Sequence, residues 1–390
     1  MTRLNRKVNL TSNKTTFVML TIGFIVNPIA GLGGKKAWKG TDNIIAAWDF
    51  FEKGEQYSFG RVHQAFSSIS SKLPLHFYFC DNPMGADLLN ELFFSKEKVY
   101  VTKTNRSSAE DTKNACKVFL EKGVDLILFV GGDGTARDVT SVVGDKIPVL
   151  GIPSGVKMFS GCFLYHPRDL GEILDEMLHG DIVISPEDVM DVNEALFREN
   201  KVHAILYGQL MVPHKIGLIQ GGKVSSSVSS PDEYSSISDE LEEEKNILQD
   251  FVVLGTGSTV YHVMKELGIE KTLLGIDIIE DGKILAKDVD EETLFQFSKG
   301  KHIKILLTPI GGQGFLLGRG NQQISSRALK NALSFELIII STVQKLDTIE
   351  KLEIDLDKPL DIPDVKNGFI KVLTSYHQYT MKDINVQTLG

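Results

Sequence analysis

The chain has 390 residues, with 42 Lys and Arg against 51 Asp and Glu and a formal net charge of −9 at pH 7. Hydrophobic residues make up 42% and charged residues 24%, which excludes a disordered or fibrous chain and, at this length, favours two domains. The acidic balance argues against broad nucleic-acid or anionic-membrane binding and leaves a local basic site open.

Met1 to Lys14 is basic and Phe17 to Val26 is apolar, the outline of a signal peptide. The apolar run is too short to span a bilayer and leads straight into Asn27-Pro28-Ile29-Ala30-Gly31. A buried parallel strand feeding a glycine turn is the expectation instead. No other segment approaches a membrane span. Thr41 is placed to cap a helix through about Glu52, and a second helix is expected near Ser58 to Ser70. Leu75 to Cys80 reads as a strand, Met84 to Phe93 as a helix, and Val99 to Val101 as a further strand. Ser108 caps a helix whose Ala115, Cys116, Phe119 and Leu120 share one face, and Gly123 stops it. Val124 to Val130 is a continuous apolar run, as for a strand covered on both sides. A last helix of this half is expected around Leu170 to Leu178.

Such alternation predicts an α/β domain with a doubly wound parallel sheet, here 1–185, whose ligands gather beyond the carboxyl ends of the strands. From 186 to 390 the pattern becomes β-rich, with short strands expected at Asp191 to Phe197, Val202 to Leu206, Phe251 to Leu254, Ile303 to Leu307 and Leu337 to Ile340. Whether the last strands return to the first domain is open. Ser225 to Ser238 holds eight serines, and Asp232 to Asp250 eight acids against one lysine, which predicts a surface loop followed by a solvated helix.

The strongest chemical signal is Gly131-Gly132-Asp133-Gly134-Thr135, set between an apolar strand and a helix. Glycines let backbone N–H groups approach phosphate oxygens, and the helix start adds partial positive charge. A carboxylate there repels an anion, so Asp133 makes sense if it holds Mg²⁺ or takes a proton from an attacking hydroxyl. The alternative is a tight turn with a capping aspartate. Thr256-Gly257-Ser258-Thr259 precedes a helix and serves either as a cap or as a phosphate or ribose site. Arg319 stands within the glycine-rich run from Gly311 to Gly320, where a guanidinium suits bidentate phosphate binding. Lys39 and Lys157 are ambiguous, and His63, His76, His203 and His214 show no ligand spacing. No Walker A lysine motif is present.

These stretches resemble a known family. GGDGT is similar to the signature of NAD kinases, diacylglycerol and sphingoid lipid kinases and, more distantly, phosphofructokinases. Asn27-Pro28-Ile29-Ala30-Gly31-Leu32-Gly33-Gly34 resembles the first phosphate loop of NAD and lipid kinases. Asp191-Val192-Asn193-Glu194 resembles the Asn-Glu motif of NAD kinases, and Thr256 to Tyr261 their TGSTAY motif, with Val260 for alanine. Thr308 to Gly314 and Arg319-Gly320-Asn321-Gln322-Gln323 extend the likeness to the divergent ATP-NAD kinase-like branch. Two segments depart from the better-known NAD kinases: Gly151 to Phe159 replaces GINxGxxGFL, and the Asp-Gly pair before TGST is missing.

The resemblance implies an NAD kinase fold and transfer of a phosphoryl group from ATP, or polyphosphate, to the 2′-hydroxyl of the adenosine ribose of NAD. Asp133 is then the catalytic carboxylate and the one candidate metal ligand, with Mg²⁺ as cofactor. Asn27, Gly31, Gly131, Gly132, Gly134 and Thr135 bind the nucleotide. Asn193, Glu194, Thr256, Gly257, Ser258, Thr259, Tyr261 and Arg319 bind the substrate. A homo-oligomer is expected by this resemblance, and the three widely spaced cysteines, Cys80, Cys116 and Cys162, fit a reducing cytoplasm. Competing readings are a kinase of another small hydroxylated metabolite or of a lipid, and a nucleotide-binding regulatory protein without turnover.

Overall fold

A computed structural model describes residues 19–38, 45–90, 93–155, 158–192, 204–215, 218–219, 231–243, 247, 249–310 and 314–388. The first half alternates as expected: β1 (Leu20–Val26), α1 (Ile45–Glu52), α2 (Tyr57–Ser67), β2 (Leu75–Cys80), α3 (Ala86–Asn90), β3 (Ser95–Tyr100), α4 (Ala109–Lys122), β4 (Leu126–Gly131), α5 (Asp133–Val143), β5 (Val149–Pro153) and α6 (Leu170–His179). Thr41 lies outside the described residues. β3 begins earlier than its apolar residues suggest, because Ser95 to Lys98 form the polar start of an edge strand that pairs only with β2.

All five strands are parallel, in the order β3-β2-β1-β4-β5. The chain therefore winds outward from β1 to β3, then returns to the other side of β1 for β4. That reversal opens a crevice above the carboxyl ends of β1 and β4, where ligands bind in folds of this kind. Local sequence fixes the flanking helices. Ser108 Oγ accepts the Asp111 N–H at 3.4 Å while the Asp111 carboxylate accepts the Ser108 N–H at 2.8 Å, a reciprocal cap on α4. Gly123, left-handed at φ 67°, ends that helix. Its Phe119 is fully buried against β1, a burial that contributes about 1.5–3 kcal/mol.

An antiparallel hairpin, β6 (Val183–Val192) with β7 (Ala204–His214), follows. Most of it lies beyond residue 185, yet its Val189, Leu210 and Val212 join the core of the first sheet. The remaining elements are α7 (Pro231–Glu243), β8 (Val252–Leu254), α8 (Ser258–Glu266), β9 (Asp277–Glu280), β10 (Lys283–Ala286), α9 (Glu291–Ser298), β11 (His302–Leu307), β12 (Phe315–Leu317), α10 (Ser326–Asn331), β13 (Ser334–Ile340), α11 (Val343–Asp347), β14 (Leu352–Leu356), β15 (Phe369–Ser375) and β16 (Gln378–Thr388). Their strands form one mixed sheet of nine, ordered β10-β9-β8-β11-β13-β15-β16-β14-β12, with a separate apolar cluster on each face. The last strands thus lie within this second sheet.

The acidic helix corrects one expectation. α7 is not simply solvated: Ile237 and Leu241, one turn apart, are fully buried, and buried Glu240 accepts hydrogen bonds from Tyr379 Oη and the His377 N–H. Asp232, Asp239, Glu242 and Glu243 occupy the outer face and conceal an inner apolar one. Residues 220–230 lie outside the description.

The two sheets meet through polar contacts. Arg61 of α2 pairs with Asp355 of β14 at 2.6 Å, both side chains buried. Lys35 pairs with Asp357 at 2.9 Å and with Glu291 at 3.4 Å, and its carbonyl accepts the Glu291 N–H at 2.8 Å. The first glycine loop is thereby pinned to the second sheet.

Candidate functional site

Because β1 and β4 are adjacent and parallel, Asn27 and the GGDGT turn emerge side by side. The Asn27 N–H donates to the Val130 carbonyl at 2.9 Å, and Asn27 Nδ2 donates to Thr135 Oγ1 at 3.0 Å. Gly131 leaves room for this arrangement: a Cβ there would lie 2.4 Å from Thr135 Oγ1. Gly132 is the N-cap of α5, so its capping position brings no side-chain oxygen to the first N–H groups of that helix.

Asp133 is the first residue of α5 and is buried. Its Oδ2 accepts the Phe159 N–H at 2.7 Å, while Oδ1 accepts the Ser160 N–H at 3.0 Å and the Ser160 hydroxyl at 2.6 Å. Burial pushes the carboxyl up to about 7; hydrogen bonds from Ser160 and Phe159 pull it down, and the charge of Asp191 adds to the rise. A carboxyl that titrates near neutrality suits proton transfer. Both oxygens already have protein partners, and among the described residues no cluster of three His, Cys, Asp or Glu side chains could hold a metal ion.

Ser160 also joins Asp133 to β6. Its hydroxyl accepts the Met190 N–H at 3.1 Å and lies 2.9 Å from the Met190 carbonyl. Arg137 of α5 pairs with Asp191 at 2.8 Å. The end of β6 is thus docked on the GGDGT turn, immediately before Asn193 and Glu194, which themselves lie outside the described residues. Sequence reasoning missed Ser160 and Arg137. No local pattern marks Ser160, whereas the position of Arg137, on the helix that the GGDGT turn opens, was the signal that could have found it.

Beside the turn lies a pocket of about 570 Å³, lined among others by Asn27, Trp48, Arg106, Ser108, Thr135 and Arg137. The starts of α4 and α5 both face it. Its size suits a nucleotide, and its wall offers an aromatic ring, two guanidinium groups and the N-terminal turn of a helix.

The first glycine loop is organised differently. Gly31 rests against the Ser154 carbonyl and the Tyr57 ring, and the N–H groups of Ala30, Leu32, Gly34, Lys36, Ala37 and Trp38 donate to carbonyls within the loop itself. As folded, those donors serve the turn and the contact with the second sheet.

In the second half, Gly257 takes φ 116°, a conformation that favours glycine, and starts α8. Thr256 is buried and donates its N–H to Asn321 Oδ1 at 3.0 Å and its hydroxyl to the Gly320 carbonyl at 3.2 Å, so it ties this turn to the Gly-Arg loop. Ser258 and Thr259 form the first turn of α8, and Thr259 Oγ1 together with Thr308 Oγ1 accepts from Lys345 Nζ at 3.4 and 3.0 Å. Sequence reasoning missed Lys345. The Tyr261 ring meets His262 edge-on at 5.3 Å. Arg319 is buried, reaches back to donate to the Tyr165 carbonyl at 3.3 Å and lies over the Phe315 ring at 4.8 Å. Burial and the neighbouring Arg61 lower its guanidinium to about 10, with Tyr57, Asp355 and Asp133 acting in the opposite sense. Lys39, Lys157 and residues 311–313 lie outside the described residues.

Comparison with known proteins bears on the whole arrangement. Residues 22–182 match the ATP-NAD kinase N-terminal domain, and residues 249–383 match the ATP-NAD kinase C-terminal domain. Over 104 residues, 26% of this chain, it is 32% identical to the NAD kinase of Methanosarcina acetivorans, of which 37% is covered. Similar stretches match the NAD kinases of Methanosarcina mazei, at 29% identity over 35% of that protein, and Methanosarcina barkeri, at 30% over 37%. The match therefore spans little more than a third of these relatives. No solved structure gives a significant match. With both domain models matched, in the order and at the places where the two sheets lie, the chain belongs to the ATP-NAD kinase family.

Proposed function

We propose that this chain is an NAD kinase, transferring the terminal phosphoryl group of ATP to the 2′-hydroxyl of the adenosine ribose of NAD. The observation that carries the reading is Asp133: a buried carboxyl, pushed up to about 7, at the open start of α5 beside a pocket of nucleotide size. The donor's phosphates lie against the N–H groups of Gly132, Gly134 and Thr135 with Arg137 nearby. The hydroxyl oxygen attacks the terminal phosphorus, Asp133 takes its proton, and ADP leaves. Phe159 and Ser160 hold the carboxylate in place for that transfer. Phosphoryl transfer asks for positioning and charge neutralisation rather than covalent catalysis, so this set suffices. Magnesium accompanies the donor as its phosphate complex, and no step here is drawn through a protein-held ion.

Thr256, Gly257, Ser258, Thr259, Tyr261 and Arg319, with Asn193 and Glu194, make up the acceptor side in this reading. The family match supports it. Among the described residues no helix is long and apolar enough to cross a membrane. Cys80, Cys116 and Cys162 are buried free thiols, and we place the enzyme in the cytoplasm as a homo-oligomer. Purified protein incubated with ATP, Mg²⁺ and NAD is expected to form NADP. Consumption of ATP only with a different hydroxylated acceptor would overturn the choice of NAD and keep the kinase. Nucleotide-dependent thermal stabilisation without any turnover would leave a binding protein.

A further inference from the structure

Arg106 lines the pocket but is held at its rim by α1. Its Nε donates to Glu52 Oε1 at 2.8 Å, and its Nη2 donates to Glu52 Oε2 at 3.1 Å and to Asp49 Oδ1 at 3.1 Å. The same two-pronged fork that grips Glu52 is the one with which arginine grips a phosphate. The Arg106 side chain is 40% exposed and those of Asp49 and Glu52 are 53% exposed, so these pairs are weak and their exchange carries little desolvation cost. The other arginine of the wall, Arg137, is paired with the less exposed Asp191 at 2.8 Å. Backbone geometry fixes where Arg106 starts from: Thr104 Oγ1 donates to the Arg106 carbonyl at 2.6 Å, directly ahead of the Ser108 cap of α4. α1 also supplies Trp48 to the pocket, so one short helix bears both the resting partners of Arg106 and part of the pocket wall.

We propose that Arg106 is an exchangeable donor-binding arm: it leaves Asp49 and Glu52 and turns into the pocket to take the phosphates of a nucleoside triphosphate. The inference rests on reading this pocket as the donor site. Asp49 and Glu52 then act as internal competitors that set donor affinity, since they occupy the arm until a more highly charged, better enclosed anion displaces them. Acceptor binding, which this reading places on other residues, is independent of the exchange.

The test is calorimetric binding of Mg·ATP to the full chain, with no turnover required. Arg106→Ala is expected to weaken ATP about tenfold or more. Removing the competitors with Asp49→Asn and Glu52→Gln together is expected to tighten it about two- to fivefold. NAD affinity should not change in either variant, and unchanged melting temperatures show that both are folded. Unaltered ATP affinity in Arg106→Ala, or weaker ATP binding in the carboxamide variant, overturns the proposal. If the wild type binds ATP and the variants respond as stated but no NADP forms, the arm stands and only the acceptor assignment falls. If the wild type does not bind ATP, both fall.

Discussion

Two helices begin at the same pocket, and they begin in different ways. α4 starts on Ser108, whose hydroxyl takes the Asp111 N–H, and its first turn carries Glu110 and Asp111. Those acids and that hydroxyl absorb the positive end of the helix within the protein. α5 starts on Gly132, with no hydroxyl at the cap, and the one acid of its first turn, Asp133, accepts hydrogen bonds from Phe159 and Ser160. In the proposed reading the positive end of α5 is left for a ligand, while that of α4 is spent on stability. A helix start near a pocket becomes a binding element only when the fold removes the internal acceptors that would otherwise claim it.

The contrast can be broken at the α5 side first. Asp133→Asn is expected to lower kcat by about 10²- to 10⁴-fold while ATP binding, read by calorimetry, persists. Wild-type turnover in that variant would remove Asp133 from the chemistry. Because the carboxyl is pushed up to about 7 and must be ionised to accept a proton, kcat/KM should fall about tenfold per pH unit below neutrality. The same shift has a sign for stability. The folded protein binds this proton more tightly than the unfolded chain, whose value lies near the ordinary 3.8, so the stability contributed by this group is full below pH 3.8 and is lost as pH rises through about 7. Chemical denaturation across that window should show the decline in the wild type and a flatter profile in Asp133→Asn.

A smaller effect is expected at Gly131, two residues before the helix. Gly131→Ala places a methyl on Thr135 and so displaces the Asn27 hydrogen bond, worth about 1 kcal/mol. With the pocket floor disturbed, ATP affinity should fall about fivefold. The smallest effect belongs to α4: Ser108→Ala should cost about 1 kcal/mol of stability, measured by denaturant titration, and leave ATP affinity unchanged. Loss of ATP affinity in that variant would mean that both helix starts bind, and the distinction between them would fail.

Much of the first sheet was readable along the chain. Leu75 to Cys80 reads as a strand by its apolar run, and β2 has those bounds. Ser108 and Gly123 mark the two ends of α4 because a cap and a left-handed stop are decided by the residues on either side. The GGDGT turn was legible for the same reason. Edge and outer elements were less so: the polar start of β3 carries no apolar signal, and the acids of α7 outnumber the Ile237 and Leu241 that anchor it.

What the sequence alone determined here is therefore local: strand, cap, glycine turn, and the order of turns that marks the family. What only the tertiary structure decided is which side chain answers which. Ser160 meets Asp133 across 27 positions, Arg106 meets Glu52 across 54, and Arg61 meets Asp355 across 294. The physical reason is range. A backbone dihedral or a cap depends on atoms a few residues away, whereas burial, and with it the titration of Asp133, depends on whatever distant segment the fold lays over it.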